Sequence, residues 1–179
     1  MQTALVLRIP EAEAAIAHWR ARHDPAAADG MPAHVTLISP FKPSSEIDAE
    51  AEASLAYVFA QSAPVDLHFA ETRRFPSVLW LAPDRAEPVV GLVRALRLAF
   101  PDHLPYGGAH AEVVPHLTVA HLSADASPED LDRIEKEFLA DARPRLPIRA
   151  RIEAASLFCK DEDGWREKRR FDFGRKEKG

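Results

Sequence analysis

The chain has one cysteine, few aromatic residues and no long apolar run. Its single cysteine, Cys159, excludes an internal disulfide and is typical of a protein from a reducing compartment. The first residues lead directly into a short apolar segment, without a basic stretch before it. This pattern predicts neither a signal peptide nor a membrane span. We therefore expect a cytoplasmic protein.

The chain also lacks an excess of basic residues. It has 23 lysines and arginines against 28 aspartates and glutamates, for a net charge of −5. This charge argues against an extended nucleic-acid surface but permits a local basic cleft for a short anionic ligand. The 46% hydrophobic content is ordinary for a globular protein, and 179 residues fit one domain or two closely packed lobes. We expect a single monomeric domain over residues 1–179.

A four-residue motif occurs twice in the chain. His34-Val35-Thr36-Leu37 and His116-Leu117-Thr118-Val119 each alternate a polar residue with an aliphatic one. This period of two predicts β-strands, with histidine and threonine on one face and the aliphatic residues on the other. We call His34, Thr36, His116 and Thr118 the quartet.

Each motif follows a similar predicted unit. A short apolar strand over 4–9, an amphipathic helix over 11–23 and a loop precede the first motif; a strand over 78–82, a helix over 88–100 and a long loop over 101–114 precede the second. Two copies of one unit suggest a pseudo-twofold arrangement, with the motif strands facing each other across a cleft.

The remaining segments predict further strands and helices. Ser45 and Asp48 form a capping-box pattern before an apolar helical stripe, and Ser127-Pro128-Glu129-Asp130 is a second helix start. Residues 65–71 alternate as a strand, and 148–159 and 165–173 predict a hairpin about Asp163-Gly164.

Two facing histidine–threonine pairs suit phosphoryl transfer at a 2′,3′-cyclic phosphate. One neutral imidazole can activate the incoming oxygen and one protonated imidazole can supply a proton to the departing oxygen. Each threonine can donate a hydrogen bond to a non-bridging phosphate oxygen. This scheme requires neither a metal nor another cofactor.

The motifs are similar to those of a known family. The chain resembles the 2H phosphoesterase superfamily, in particular its bacterial 2′-5′ RNA ligase and 2′,3′-cyclic phosphodiesterase branch. The matching segments are the two motifs, with Pro40-Phe41 after the first and Pro115 before the second, together with Val78-Leu79-Trp80-Leu81 and Pro105-Tyr106-Gly107-Gly108. The resemblance covers nearly the whole chain.

The resemblance implies a bilobal α+β fold in which antiparallel sheets form a central cleft. It implies that His34 and His116 are the acid and base, that Thr36 and Thr118 bind phosphate, and that the substrate is a 2′,3′-cyclic phosphate of a nucleotide or a short RNA end. It thereby implies a role in RNA processing, with 2′-5′ ligation as the reverse reaction. Some relatives have an arginine shortly after the second motif, where this chain reads Ala120-His121.

Other residues are weaker candidates for substrate binding. Phe41 can stack on a base at the cleft rim or belong to the core, and Tyr106 can contact ligand or pack within its loop. His121 follows the second motif closely. Arg73 and Arg74 are candidate sources of positive charge for the cleft, although such residues at strand ends are usually solvated.

Two rival functions remain open from the sequence. The same cleft can bind a nucleotide or RNA end without turning it over. Alternatively the histidines can ligate a metal, but zinc normally needs three protein ligands, so Glu112, His110 or His121 would have to contribute. Metal-free catalysis is the hypothesis we favour.

Overall fold

A computed structural model describes residues 1–103 and 113–174. The strands are β1 (Gln2–Arg8), β2 (His34–Ile38), β3 (Val65–Phe75), β4 (Val78–Pro83), β5 (Leu117–His121), β6 (Ile148–Ile152), β7 (Ala154–Asp161) and β8 (Gly164–Asp172). The helices are α1 (Glu13–His23), α2 (Pro25–Ala28), α3 (Ala49–Ala60), α4 (Glu87–Ala99) and α5 (Pro128–Ala142). None of the helices in these ranges is both long and apolar enough to cross a membrane.

The strands form one curled antiparallel sheet, in the order β6-β3-β4-β5-β2-β1-β7-β8. The order is symmetric about its centre, where the motif strands β5 and β2 are neighbours. We call β1, β2, β7 and β8 the first lobe and β3 to β6 the second lobe. The predicted bilobal α+β fold with duplicated strand–helix–strand units is confirmed, and the two halves of the sheet are continuous through β2 and β5.

The helices bind the two halves together from one side of the sheet. Helix α1 follows β1 of the first lobe but packs against β5 of the second, and α4 follows β4 but packs against β2. The aliphatic residues of both motifs are fully buried against these helices, whereas the quartet keeps partial exposure. We call the side of the sheet that bears the quartet the cleft face.

One predicted strand is wrong. Residues 148–159 form two strands that separate at Glu153, with β6 pairing to β3 and β7 pairing to β1. Strand β6 is the edge strand next to β3, whereas β7 lies between β1 and β8 near the other edge of the sheet, so one continuous strand cannot occupy both positions. No glycine or proline marks the break, so local sequence did not reveal it.

The two predicted helix starts have different outcomes. Ser45 lies in a 3₁₀ turn (Ser44–Glu46), and Asp48 alone caps α3 by accepting a hydrogen bond from the Ala51 amide at 2.8 Å. The capping box of Ser127 and Asp130 at the start of α5 is confirmed.

The tip of the β7–β8 hairpin anchors the loop that leads into β2. The Trp165 amide donates to the Asp29 carbonyl oxygen at 2.6 Å, and the Lys160 ammonium lies 2.5 Å from the Asp29 carboxylate. A small apolar cluster of Ala4, Val6, Met31 and Phe158 packs the same loop on the first lobe's cleft face. The path of the chain into His34 is therefore fixed from outside the motif.

We predict that Gly164→Ala weakens this anchor. Gly164 has a φ of +111°, and a Cβ there would overlap the Asp29 carbonyl group. The strained backbone and the overlap should lower the free energy of unfolding by about 2 kcal/mol or more.

Gly91→Ala is the matched control. Gly91 lies in α4 with open space around the added Cβ, so the helix should gain roughly 0.5–1 kcal/mol. Urea unfolding of both variants checks the pair, and equal stabilities would contradict the role of the hairpin tip.

Candidate active site

The two motif strands meet at a single backbone pairing. Val35 of β2 pairs with Leu117 of β5 in antiparallel register. One step to either side of this pair, each histidine lies across from the threonine of the other motif. The sequence predicted strands that face each other across a cleft; the structure instead joins them edge to edge, which brings the quartet together on one surface.

A β-bulge follows the first motif's threonine. Val6 of β1 pairs with Thr36, but its neighbour Leu5 pairs with Ile38, so Leu37 is the extra residue. Leu37 and Ile38 are consequently both buried. A bulge of this kind increases the local twist of the strand and changes the direction of the side chains that follow it.

The second motif has the same irregularity. Trp80 of β4 pairs with Thr118, but Leu79 pairs with Ala120. The extra residue reverses the alternation, so His121, which pairs one position further along, returns to the cleft face and is exposed. Strict alternation from the motif would have assigned it to the buried face.

Both catalytic candidates are held by the backbone in the same way. Nδ1 of His34 is 2.8 Å from the Pro32 carbonyl oxygen, and Nδ1 of His116 is 2.8 Å from the Val114 carbonyl oxygen. A carbonyl only accepts, so each Nδ1 carries the proton. Each neutral ring therefore presents an Nε2 lone pair, and neither Nε2 has a hydrogen-bond partner among residues 1–103 and 113–174.

The surroundings of His34 strongly favour its neutral form. Burial lowers the pKa of His34 from 6.5 to about 4, against the opposing effect of its hydrogen bond to the Pro32 carbonyl. The positive charge of Arg20 lowers this pKa further, while Asp24 partly offsets it. At neutral pH His34 is thus in its neutral form, with its one proton on Nδ1.

Arg20 and Asp24 form a buried ion pair near His34. Both side chains are less than 5% exposed, and Nε and Nη2 of Arg20 each lie 2.9 Å from one Asp24 carboxylate oxygen. The other oxygen accepts from the Ala26 amide at 3.0 Å, which caps α2. The pair holds the Arg20 guanidinium at the end of α1, close enough for its charge to act on His34.

His116 has an aromatic environment instead. Its ring is perpendicular to that of Phe75, with centroids 5.2 Å apart, and its centroid is 5.8 Å from that of Trp80. Burial lowers the pKa of His116, against its bond to the Val114 carbonyl, and His121 lowers it slightly further. The shift is smaller than that of His34.

The strands beside the motifs also differ between the lobes. The β1 register places Arg8 directly across from His34. Arg73 of β3 pairs with Trp80 and so shares the cleft face of the second lobe, where it lies 3.5 Å from Glu71. Arg74 points to the helices and binds Asp132 and Glu135 of α5, so it does not supply charge to the cleft.

The remaining substrate-binding candidates stay predictions. Phe41 is only 5% exposed, and its ring packs edge-on against Phe100 with centroids 5.1 Å apart. Tyr106 lies outside the described residues, as do His110 and Glu112. Within the described ranges, no group of three or more histidine, cysteine or carboxylate side chains is placed to hold a metal ion.

Sequence inspection missed three neighbours of the histidines: Arg8, Arg20 and Phe75. Arg8 reaches the site through strand register, Phe75 through the β3–β4 pairing, and Arg20 through the packing of α1 under the sheet. None of these relations follows from local spacing. The repeated unit was the available signal, because β1 and β4 are its corresponding first strands and each lies next to a motif strand in the sheet.

Comparison with known proteins identifies the family. The model of the 2′-5′ RNA ligase superfamily matches residues 9–164. Among curated proteins, none matches this chain by sequence.

Several solved structures share the fold. The structure of TT0787 from Thermus thermophilus aligns with a TM-score of 0.68 at 17% identity, over 99% of this chain and 100% of that one. LigT from E. coli complexed with NADP+ aligns with a TM-score of 0.61 at 18% identity, over 97% and 98%. LigT complexed with 3′-AMP aligns with a TM-score of 0.57 at 18% identity, over 96% and 97%.

We predict that His34 makes stability fall on acidification. Between pH 6.5 and about 4 the unfolded chain protonates this ring while the folded chain does not, so unfolding is favoured as the pH drops. The free energy of unfolding should therefore decrease by about 2 kcal/mol between pH 7 and pH 5.

His34→Asn tests this linkage, because its amide nitrogen can keep the bond to the Pro32 carbonyl without titrating. Urea unfolding at pH 7 and pH 5 should show a smaller acid destabilisation in the variant than in the wild type. An equal loss of stability between pH 7 and pH 5 in the two proteins would contradict the role of His34.

Proposed function

The chain belongs to the 2′-5′ RNA ligase superfamily, and we propose that it is a metal-independent phosphoesterase that opens the 2′,3′-cyclic phosphates of nucleotides or RNA ends. The observation that carries this proposal is the matched tethering of both imidazoles. Each Nδ1 is occupied by a carbonyl at 2.8 Å, which leaves two Nε2 atoms for substrate beside two threonine hydroxyls. The LigT complexes with 3′-AMP and ATP support nucleotide binding by this fold.

The unequal environments of the histidines suggest a division of roles. His34, whose pKa is lowered more, is the base: its Nε2 takes a proton from water as the water oxygen attacks phosphorus. His116 in its protonated form is the acid: it donates the Nε2 proton to the ribose oxygen as the P–O bond breaks. The product is a phosphomonoester, and the two rings exchange protonation states, which solvent then restores.

The hydroxyl groups complete the phosphate site. Thr36 and Thr118 donate hydrogen bonds to the non-bridging oxygens, where negative charge increases in the transition state. His121, returned to the cleft face by the bulge, is a further phosphate contact in place of the arginine found in some relatives. Attack by an RNA 5′-hydroxyl on the same cyclic phosphate would use the same two imidazoles and give 2′-5′ ligation.

We predict that His34→Ala and His116→Ala each lower kcat/KM on a 2′,3′-cyclic mononucleotide about 10²–10⁴-fold, because each removes one proton-transfer group. The assay contains a strong chelator, and the wild type should remain active in it. His68→Ala is the control, since His68 is a half-exposed residue paired with Asp84 on β3.

Full activity in either active-site variant would overturn the two-histidine scheme. Loss of wild-type activity in chelator would favour a metal hydrolase. Calorimetric binding of the nucleotide without product after long incubation would favour a binding module.

We predict an acid optimum for kcat/KM. The free enzyme needs His34 neutral and His116 protonated, so activity should fall below about pH 4 as His34 gains its proton. Activity should also decrease as the pH rises, and this decrease should begin below pH 6.5, because burial lowers the pKa of His116. Initial rates measured across this pH range at saturating and subsaturating substrate would show both decreases. An activity that rises towards pH 8 would contradict the assignment of His34 as base and His116 as acid.

A further inference from the structure

The first lobe has a cationic residue directly beside the quartet. Arg8 is the cross-strand neighbour of His34, and its side chain is 41% exposed. Neighbouring strands are about 4.8 Å apart. An arginine side chain on β1 is therefore long enough to contact a ligand group that extends from the histidines over the first lobe.

Arg8 lines a cavity that also includes Pro10, Glu11 and the junction of β6 and β7 at residues 151–154. The cavity is about 290 Å³ and is lined in part by Arg8, Ser156 and Arg170. Ser156 of β7 pairs with Val6 on one side and with Arg170 on the other, which sets it on the quartet's face of the sheet. The described lining residues include none of the quartet, and Arg8, which pairs with His34, is the residue that connects the cavity with the quartet.

The cations at this cavity are held by exposed carboxylates. Nη1 of Arg8 lies 2.8 Å from Glu167, which also accepts a hydrogen bond from the Ser156 hydroxyl at 2.6 Å. Arg170 lies 3.0 Å from Asp172. Arg151, on the cavity wall, contacts Asp66 and Glu153, and Glu11 also contributes to the lining.

Such pairs are readily exchanged for a better anion. An exposed ion pair contributes about 0–1 kcal/mol, whereas a phosphate offers several acceptor oxygens to the planar guanidinium fork. Glu167 therefore competes with a phosphate for Arg8 but does not prevent the phosphate from binding.

We propose that Arg8, with Arg170 beyond it, binds a second phosphate, the one on O5′ of the nucleoside whose 2′,3′-cyclic phosphate lies between the histidines. The inference rests on the proposed function and adds a specificity-determining residue to it. The second phosphate has two sources, a 5′-monophosphate on a single nucleotide or the phosphodiester that joins the preceding nucleotide of an RNA end.

The opposite wall offers a weaker alternative. Arg73 is also on the cleft face, but it lies on β3, two strands from β5, and the rings of Trp80 and Phe75 are between it and His116. Arg8 lies on the strand next to its histidine. The observed positions therefore favour binding of the second phosphate by the first lobe and contact of the nucleoside with the aromatic rings of the second lobe.

The test compares kcat/KM for adenosine 2′,3′-cyclic phosphate, its 5′-phosphorylated form and the dinucleotide ApA ending in a cyclic phosphate. The wild type should prefer the two substrates with an O5′ phosphate. In Arg8→Ala the preference should fall about tenfold or more, because a charge-assisted contact is lost. Arg8→Lys should retain part of it, and Glu167→Gln should increase it by removing the competing carboxylate.

Arg166→Ala is the matched control. Arg166 is also an exposed arginine of the first lobe and pairs with Asp163, but it is adjacent to Glu167 on β8 and so lies on the other face of the strand. The substrate preference of this variant should equal that of the wild type. Loss of preference for both phosphorylated substrates in Arg8→Ala supports the subsite for either source; loss for the dinucleotide alone identifies the phosphodiester.

An unchanged preference in Arg8→Ala would overturn the proposal, as would a preference that collapses in Arg73→Ala instead. If the wild type opens none of the three substrates, the proposed function fails. A binding measurement then tests the second-phosphate subsite separately. Calorimetry would compare adenosine 3′,5′-bisphosphate with adenosine 3′-monophosphate. A tighter bisphosphate whose advantage is lost in Arg8→Ala supports the subsite; equal affinities overturn it.

Discussion

The pairing of β2 with β5 is the contact on which the whole site depends. It joins the two halves of the sheet through one residue pair, Val35 and Leu117. Because side chains of paired strands share a face, this pairing decides that both histidines and both threonines lie on the same surface. The crossed packing of α1 on β5 and α4 on β2 supports it from behind, so the relative position of the two motifs is set by the hydrophobic core.

The repeated scaffold places two chemically equivalent groups in unequal surroundings. His34 lies beside a buried arginine and an exposed one, whereas His116 packs on aromatic rings. Both rings resist protonation because they are buried, and the pKa of His34 is lowered more than that of His116. In the proposed mechanism, the difference between base and acid therefore comes from the surroundings of the motifs and not from the motifs themselves.

The sequence predicted what depends on local periodicity. The motif strands, the helix 88–100, the capping box at Ser127 and the duplicated unit were all visible as patterns. It could not predict the break at Glu153, because the separation of β6 from β7 depends on their different long-range partners, β3 for the one and β1 and β8 for the other. It also could not predict the bulges, so it gave no reason for His121 to share a face with His116. Arg8 and Phe75 were missed because register is a long-range property.

The tethering of both rings to peptide carbonyls has a consequence for how the site becomes charged. A carbonyl dipole fixes the tautomer but stabilises an imidazolium less than a carboxylate would, and burial opposes that charge as well. At neutral pH, before any ligand binds, the site therefore holds two uncharged rings. In the proposed mechanism, an arriving phosphate would bring negative charge that favours a proton on one ring, so the ligand itself would promote protonation of the acid. The enzyme would then carry its catalytic proton only while there is a phosphate to use it.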